Sequence, residues 1–354
     1  MKTLPVGVVI VTFNSGHEAV DCVASLLASA AADGLTLHIC VVDNASTDDT
    51  VPRLKEWAAG TAPYSAPDGL PFVQTFSSSA PRLVEGEPDL APVEDVDFTL
   101  IHSGGNLGFA GGVNVGLAYL ARVSEIEHFW VLNPDSVVPP GSLKALARSI
   151  ETGTPYALMG GRVVYFDQPD RIQIDGGLIK RSTGVTGNFN LGKSHARSTP
   201  PQPSELDFIT GASMVASRQF YERTGPMRED YFLYYEEVDW AMRRGDLPLA
   251  YCPGLLVYHH GGSSIGSPVF GRTASPFSLY FKHRGRAMFQ RRFNPGSMST
   301  THAYTLAQAA RTLLRSRGDF AAAGAILRGG LGLTPPASVL DRLDAATRTR
   351  AFGE

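Results

Sequence analysis

Glu236, Glu237 and Asp239 place three carboxylates within four positions of the run EDYFLYYEEVDWAMRRGD, residues 229–246, flanked by Phe232, Tyr234, Tyr235 and Trp240. A solvated helix start would carry such charges for the sake of the helix dipole. Aromatic residues on both sides point instead to a cleft, where a partly buried carboxylate among others has its pKa raised toward the range of a general base. A further carboxylate, Asp135, follows the apolar run Phe129 to Leu132 in HFWVLNPDSVV. A buried parallel strand stopped at Pro134, which has no amide hydrogen, would leave Asp135 just past its carboxyl end, where open α/β sheets bind ligands. His259 and His260 follow another apolar run and precede Gly261 and Gly262. A histidine at a strand end, in a chain that also offers Asp135, is a candidate metal ligand.

Two other stretches suit a nucleotide. Asp43 closes the run LHICVVD, and its carboxylate could accept the imide N–H of a uracil or thymine ring; Asp48 or Asp49 then caps the next helix. The segment SGGNLGFAGGVNVG, residues 103–116, lets the backbone approach a ligand closely, and the helix that begins at its end suits a phosphate. It is neither a GxGxxG after the first strand nor a GxxxxGK[ST], which argues against a nicotinamide cofactor and an ordinary P-loop.

The elements that must hold these residues alternate. VGVVIVTF reads as a strand, His17 to Ala31 as a helix, LHICVVD as a strand, then a helix with Leu54 and Trp57. Residues 60–95, rich in Pro, Ser, Gly and Ala, read as a loop insertion. DFTLIHS, a helix at Gly111 to Ala121, FWVLN and a helix from about Ser142 to Glu151 restore the rhythm, which implies a largely parallel sheet. ALMGGRVVYF, ELDFITGASMVAS and LAYCPGLLVYHH read as later strands, with helices at about Arg218 to Thr224 and Glu237 to Arg244. The Gly-rich residues 175–194 read as a hairpin or a loop over the site. Beyond Pro276 helices dominate, one with Leu306, Ala309, Ala310, Leu313 and Leu314 at helical spacing.

Composition adds limits. No apolar stretch in the 354 residues is long enough to span a bilayer, and the amino-terminal VGVVIV reads as a first strand instead of a signal peptide. Three widely spaced cysteines without a CxxC pair speak for a reducing cytosol and against a disulfide framework or a structural zinc site. The net charge of -3 hides an asymmetry: from residue 271 on there are 13 Arg and Lys against 4 Asp and Glu. Such a tail is either a solvated helical surface or one drawn to anionic phosphates or acidic lipid.

In order, TFN, VVDNASTD, NLGFAGGVNVG, LNPD, FITGASMVASR, FLYYEEVDWAMR and VYHHGGSS resemble family 2 glycosyltransferases of the GT-A fold, and among them the bacterial rhamnosyltransferase-like branch, from about residue 6 to residue 290. The resemblance implies an α/β fold, GT-A (Rossmann-like), with a mixed, mostly parallel central sheet flanked by helices. The GT-A domain would cover residues 1–270 and a basic, mainly helical extension residues 271–354. It implies inverting transfer of a sugar from a nucleoside diphosphate donor, dTDP-rhamnose first and a UDP-sugar second, to a hydroxyl of a surface glycan or lipid-linked oligosaccharide. No nucleic acid is expected as a partner. The expected location is the cytoplasm, with peripheral contact to the anionic inner membrane face through the basic tail.

Residue by residue, the resemblance sets Thr12, Asn14 and Asp43 at the base and ribose. Gly105, Asn106 and Gly108 to Gly112 (Gly111 among them) approach the ribose and diphosphate, with Asn114 facing the site and Arg284 of KHRGR meeting the diphosphate. Asp135 matches the last carboxylate of the metal-binding DxD motif and Glu237 the base, with Glu236 before it and Asp239 orienting acceptor or base. His259 fits the family's histidine better than His260, and Mg2+ or Mn2+ is the expected cofactor. Two positions depart. Asn133 stands first in DxD, leaving the metal one motif carboxylate, and Glu237 replaces the usual aspartate, moving the carboxylate on the order of 1.5 Å. A sugar nucleotidyltransferase lacks support because TFNSGHEA carries no Gly-rich, Arg-containing signature. A non-catalytic glycan-binding or scaffold protein is the rival that Asn133 and Glu237 leave open.

Overall fold

The computed structural model describes residues 2–261, 274–315 and 319–353. Gly262 and Ser263-Ser264 of the histidine motif, and the 270/271 boundary, lie outside the described residues. One mixed sheet organises the chain. Its strands are β1 (Lys2–Thr12), β2 (Leu35–Asp43), β3 (Leu83–Gly86), β4 (Phe98–His102), β5 (His128–Leu132), β6 (Ser136–Val137), β7 (Leu158–Tyr165), β8 (Ile172–Ile174), β11 (Ser213–Ser217) and β12 (Ala250–His259), while β9 (Gly177–Lys180) and β10 (Val185–Asn188) form a separate hairpin. The order is β3-β4-β2-β1-β5-β11-β7-β12-β6, with β8 on β7. β3, β4, β2, β1 and β5 run parallel, and β11 enters antiparallel between β5 and β7.

Alternation along β1 explains the layering. Val6, Val8 and Ile10 pack on one face with helices α1 (Gly16–Asp33), α2 (Thr50–Ala58) and α4 (Ser142–Glu151). Val9 faces the other side, with α3 (Gly108–Leu120), α5 (Arg218–Thr224) and α6 (Glu236–Met242). Chain order reverses across β1: β2 lies on one side of it and β5, reached through α3, on the other. The crevice beyond the carboxyl ends of β1 and β5 is therefore a topological switch point.

The C-terminal helices are α7 (Pro276–Phe293), α8 (Met298–Arg315), α9 (Phe320–Leu331), α10 (Ala337–Leu340) and α11 (Ala345–Phe352). Phe277, Phe281, Val339, Leu343 and Ala351 share one apolar cluster with Phe232 and Leu233 of the acidic-aromatic segment, so the extension packs directly beside it.

Several expectations shift. Residues 60–95 carry the short edge strand β3, whose four residues are too few to stand out among Pro and Ser. α3 starts three residues before the expected Gly111 because Gly108, at φ +72°, makes the turn into it. Only Ser213–Ser217 of ELDFITGASMVAS is a strand. On α8, Leu306 and Leu314 are 55% and 85% exposed, while Thr301, Thr305 and Ala309 face inward. The hydroxyls decide this: Thr305 accepts from Arg286 at 2.5 Å and Thr301 from Gln290 at 3.2 Å, satisfying polar groups that burial would otherwise strand.

Candidate active site

The switch-point crevice is lined just past the end of β1 by Phe13 and Ser15 and just past the end of β5 by Asn133, Pro134 and Asp135. Asn44, Asn106, Gly108 and Phe109 form one wall; Phe232, Leu233, Phe277, Arg342 and Leu343 form the other.

Asp135 lies at the floor, buried, its Oδ1 3.0 Å from His259 Nε2. Its Oδ2 accepts the Gly261 amide at 3.1 Å. Asn133 Nδ2 stands 3.0 Å from the same His259 nitrogen, and the Gln173 amide oxygen takes His259 Nδ1–H at 2.7 Å. Gln173 thereby fixes the ring and aims Nε2 at Asn133 and Asp135, as outer partners do for metal-binding imidazoles. Burial pushes the Asp135 carboxyl up, but the charge and hydrogen bond of His259, its own amide and the charge of His260 more than offset this, leaving it below its ordinary value. His260 points away and stacks on Phe166. Among the described residues no group of three or more His, Cys, Asp and Glu gathers as a metal site. One carboxylate, one imidazole nitrogen and one amide therefore converge, a set that fits a hard divalent cation completed by phosphate oxygens.

The acidic segment is built differently. Phe232, Tyr234 and Tyr235 have φ of 62°, 66° and 76°, a conformation costing roughly 1–3 kcal/mol per non-glycine residue, so its surroundings must over-determine it. Three clamps do so: Phe109 N–H donates to Phe232 O at 3.0 Å, Tyr235 Oη donates to Gly184 O at 2.7 Å, and Tyr234 Oη meets Ser278 Oγ at 2.6 Å. α7 comes close because Gly285 has no side chain; a Cβ there would lie 2.6 Å from Tyr234 O.

This loop delivers Glu236 and Glu237 at the start of α6, each with a buried Oε2 that has no hydrogen-bond partner among the described residues. Burial drives both carboxyls up. Glu236 goes well above its ordinary value, with the charge of Glu237 adding to the rise. Glu237 is raised against the opposing pull of nearby backbone amides and the positive Lys282. A Cβ built on Gly211 would touch both the Phe109 ring and Glu237 Cβ, and the next carbonyl, Ala212 O, accepts the Asn133 amide at 3.1 Å. The acidic segment and the floor thus approach each other around residues 211–212, while the segment lines the crevice itself through Phe232 and Leu233 and not through Glu236 or Glu237.

Other residues named from sequence fall into two groups. Thr12, across the ladder from Asp43, donates its hydroxyl to Asp43 Oδ1 at 3.2 Å, and Asp43 also accepts the Ser46 amide. Asn14 Oδ1 takes the Thr47 amide at 2.7 Å, which holds the loop beyond β2. Asn106 and Gly108 border the crevice, Asn106 Oδ1 accepting the Gly108 amide at 3.0 Å.

Elsewhere the geometry corrects the sequence reading. Gly111 and Gly112 lie inside α3, where added Cβ atoms would strike Leu107 and Val11; they serve helix–sheet packing. Asn114 ties α3 to Met227 and Glu229 with both ends of its amide. Arg284 donates to Asp230 O, Tyr231 O and Ala351 O, which commits it to the backbone. Asp239 is fully buried between Arg243 at 2.7 Å, Arg292 at 3.3 Å and the Tyr231 hydroxyl, out of an acceptor's reach. Sequence reading missed Phe13, Asn44, Phe277 and Arg342. The short polar side chain directly after Asp43 was a usable signal for Asn44, which donates to Gly108 O at 2.8 Å.

The family model described as Glycosyl transferase family 2 matches residues 7–66 and 77–224, more than half of the chain. The chain belongs to glycosyl transferase family 2. The low-salt glycan biosynthesis hexosyltransferase Agl10 of Haloferax volcanii is 27% identical over 195 residues, 54% of this chain and 59% of its own length. The N-acetylglucosaminyl-diphospho-decaprenol L-rhamnosyltransferase of Mycobacterium tuberculosis is 27% identical over 199 residues, 51% of this chain and 65% of its own. The chain thus spans about three-fifths of the length of these relatives. The crystal structure of GalNAc-T7 with UDP, GalNAc and Mn2+ aligns over 98% of this chain and 57% of that one, with a TM-score of 0.50 and 12% identity, a likeness of GT-A fold. No helix among the described residues is long and apolar enough to cross a membrane.

Proposed function

We propose that this family 2 member is an inverting glycosyltransferase that moves a sugar from a nucleoside diphosphate to a hydroxyl of a glycan or lipid-linked saccharide. The observation that carries the reading is Glu237: a buried carboxylate oxygen without a partner, with a raised pKa, held by a strained loop beside the switch-point crevice. A group left unpartnered at such cost is suited to receive a proton.

In the proposed reaction the acceptor oxygen attacks the anomeric carbon while its proton passes to Glu237. The new carbon–oxygen bond forms as the bond to the diphosphate breaks, and the nucleoside diphosphate departs from the opposite face. Glu236, the more strongly raised of the two, stays protonated and leaves the negative charge to Glu237, which Lys282 favours. Asp135, His259 and Asn133 would hold Mg2+ or Mn2+, whose charge would offset that of the leaving diphosphate. Asp43, held by Thr12, is the proposed reader of the base, and Gly105, Asn106 and Gly108 give the phosphates access to the start of α3.

dTDP-rhamnose is the first proposed donor, its rhamnosyl part supported by the L-rhamnosyltransferase name of the mycobacterial relative, and a UDP-sugar is the second. That relative's name also supports a lipid-linked diphosphate acceptor, as the Haloferax name supports glycan assembly. The test is transfer from radiolabelled dTDP-rhamnose, UDP-N-acetylglucosamine or UDP-galactose to an N-acetylglucosaminyl-diphospho-polyprenol with Mn2+ present. Product from a donor with wild type, absent with Glu237→Gln, supports the reading. Nucleotide binding without transfer or donor hydrolysis for every donor would favour a glycan-binding scaffold.

A further inference from the structure

The arginines of the C-terminal helices divide into two kinds. Arg348 donates to Leu340 O and Leu343 O at 2.8–3.1 Å, and Asp344 caps α11 by accepting the Thr347 amide at 2.8 Å. With Val339, Leu343 and Ala351 buried against Phe232 and Phe277, residues 337–352 form a cap pinned to the wall of the crevice. Arg342 and Arg350 sit on this cap, both exposed, and neither guanidinium has a hydrogen bond or ion pair among the described residues.

Their positions are specific. Arg342 lies over the Phe277 ring, 4.7 Å from its centroid, and lines the same cavity as Asp135, Asn133 and Asn106. Arg350 reaches the opposite end of the Gly-rich loop, where a Cβ added to Gly105 would run into its Nη1. Two cations with unpaired donors therefore border the loop that gives phosphates access to α3, and one of them shares a cavity with the floor carboxylate. The guanidinium fork matches phosphate oxygens in pairs, and stacking on an aromatic ring pre-orients it. The family match ends at residue 224, so neither arginine falls within it.

We propose that Arg342 and Arg350 are the protein's cationic contacts to the donor diphosphate, reaching it from the C-terminal cap and taking up the charge that develops as the nucleoside diphosphate leaves. This assigns the basic tail a phosphate ligand and replaces Arg284, which the backbone holds. The inference rests on the nucleotide-sugar reading above.

The test is calorimetry on the full chain with dTDP, UDP, thymidine and uridine, in Mn2+ and again in EDTA. Arg342→Ala and Arg350→Ala are each expected to weaken the better-bound diphosphate by about 10- to 100-fold, the scale of one hydrogen bond to a charged group. Affinity for the matching nucleoside should stay within about threefold, and Arg342→Lys should restore part of the loss. Arg348→Ala, which loosens the cap, serves as the structural control and should lower Tm, whereas Arg342→Ala should not.

Diphosphate affinity unchanged in both alanine variants overturns the proposal alone. So does a loss shared equally by nucleoside and diphosphate, or an Arg342→Ala Tm as low as that of Arg348→Ala. A rise confined to the KM of a lipid-diphosphate acceptor also overturns it, moving the arginines to the acceptor side. Failure of wild type to bind any of these nucleotides overturns the donor reading, and the proposal with it.

Discussion

The floor of the crevice and the acidic segment beside it both hold carboxylates with buried oxygens, yet the fold treats them in opposite ways. Asp135 is given His259, Asn133 through that ring, and the Gly261 amide, and it is kept ionised. Glu236 and Glu237 are denied partners at one oxygen each and pushed toward the neutral form. A carboxylate that holds a ligand gains from neighbours that fix it; one that accepts a proton gains from having none. The contrast is sharpest in Glu237→Gln. Transfer is expected to fall by about 10²- to 10⁴-fold while calorimetric affinity for the nucleoside diphosphate stays within about threefold. Turnover within tenfold of wild type would break the comparison at its acidic end.

Two positions along the same helix, Asp239 supplies the opposite control. Its ion pairs with Arg243 and Arg292 are fully buried on the carboxylate side. Asp239→Asn should destabilise the protein by about 3 kcal/mol, measured by urea unfolding, and reduce activity only as folded protein is lost. A specific loss of kcat in well-folded Asp239→Asn would return this residue to the chemistry.

These fates show what the sequence could convey. The sheet was legible because HFWVL, LHICVVD and VGVVIV are apolar runs bounded by Pro, Gly and Asp, and because helical spacing lies between them. Asp135 and Glu237 were legible as carboxylates beside strand-end and aromatic signals. The difference between Glu237 and Asp239 was not, since it depends on Arg292, more than fifty positions away, folding back through α7. Arg284 and Arg342 likewise look alike in a basic tail; only the fold reveals that one meets backbone carbonyls and the other an open cavity. Gly111 and Gly112 misled for a related reason, because a glycine that admits a ligand and one that admits a strand leave the same letter.

At the floor, Gln173 offers a gentler perturbation than removing a ligand. Gln173→Ala frees the His259 ring, and Mn2+-supported binding of dTDP or UDP should weaken by about 10- to 100-fold, the usual loss for an outer partner of a metal ligand. Binding in EDTA should not change. Equal losses in both conditions would mean that Gln173 supports the crevice rather than the imidazole.

The smallest expected effect tests the acidic segment through pH. A base works ionised, so a carboxyl raised by burial loses activity as pH falls through its raised value. The acid limb of kcat/KM should therefore lie above the ordinary glutamate value of about 4.3. Glu236→Gln puts a neutral amide where a protonated carboxyl stood and should leave that limb close to its wild-type position. Stability carries the same sign. With folded values above unfolded ones, the neutral pair keeps its full stability at pH below the unfolded value, and stability drains as pH rises through the folded values. Glu236→Gln should flatten that loss on the alkaline side and leave the acid side nearly untouched. An acid limb that drops in Glu236→Gln, together with an unflattened stability profile, would mean that Glu236 carries charge beside Glu237 in the wild type, and the opposition between floor and acidic segment would reduce to a difference in burial.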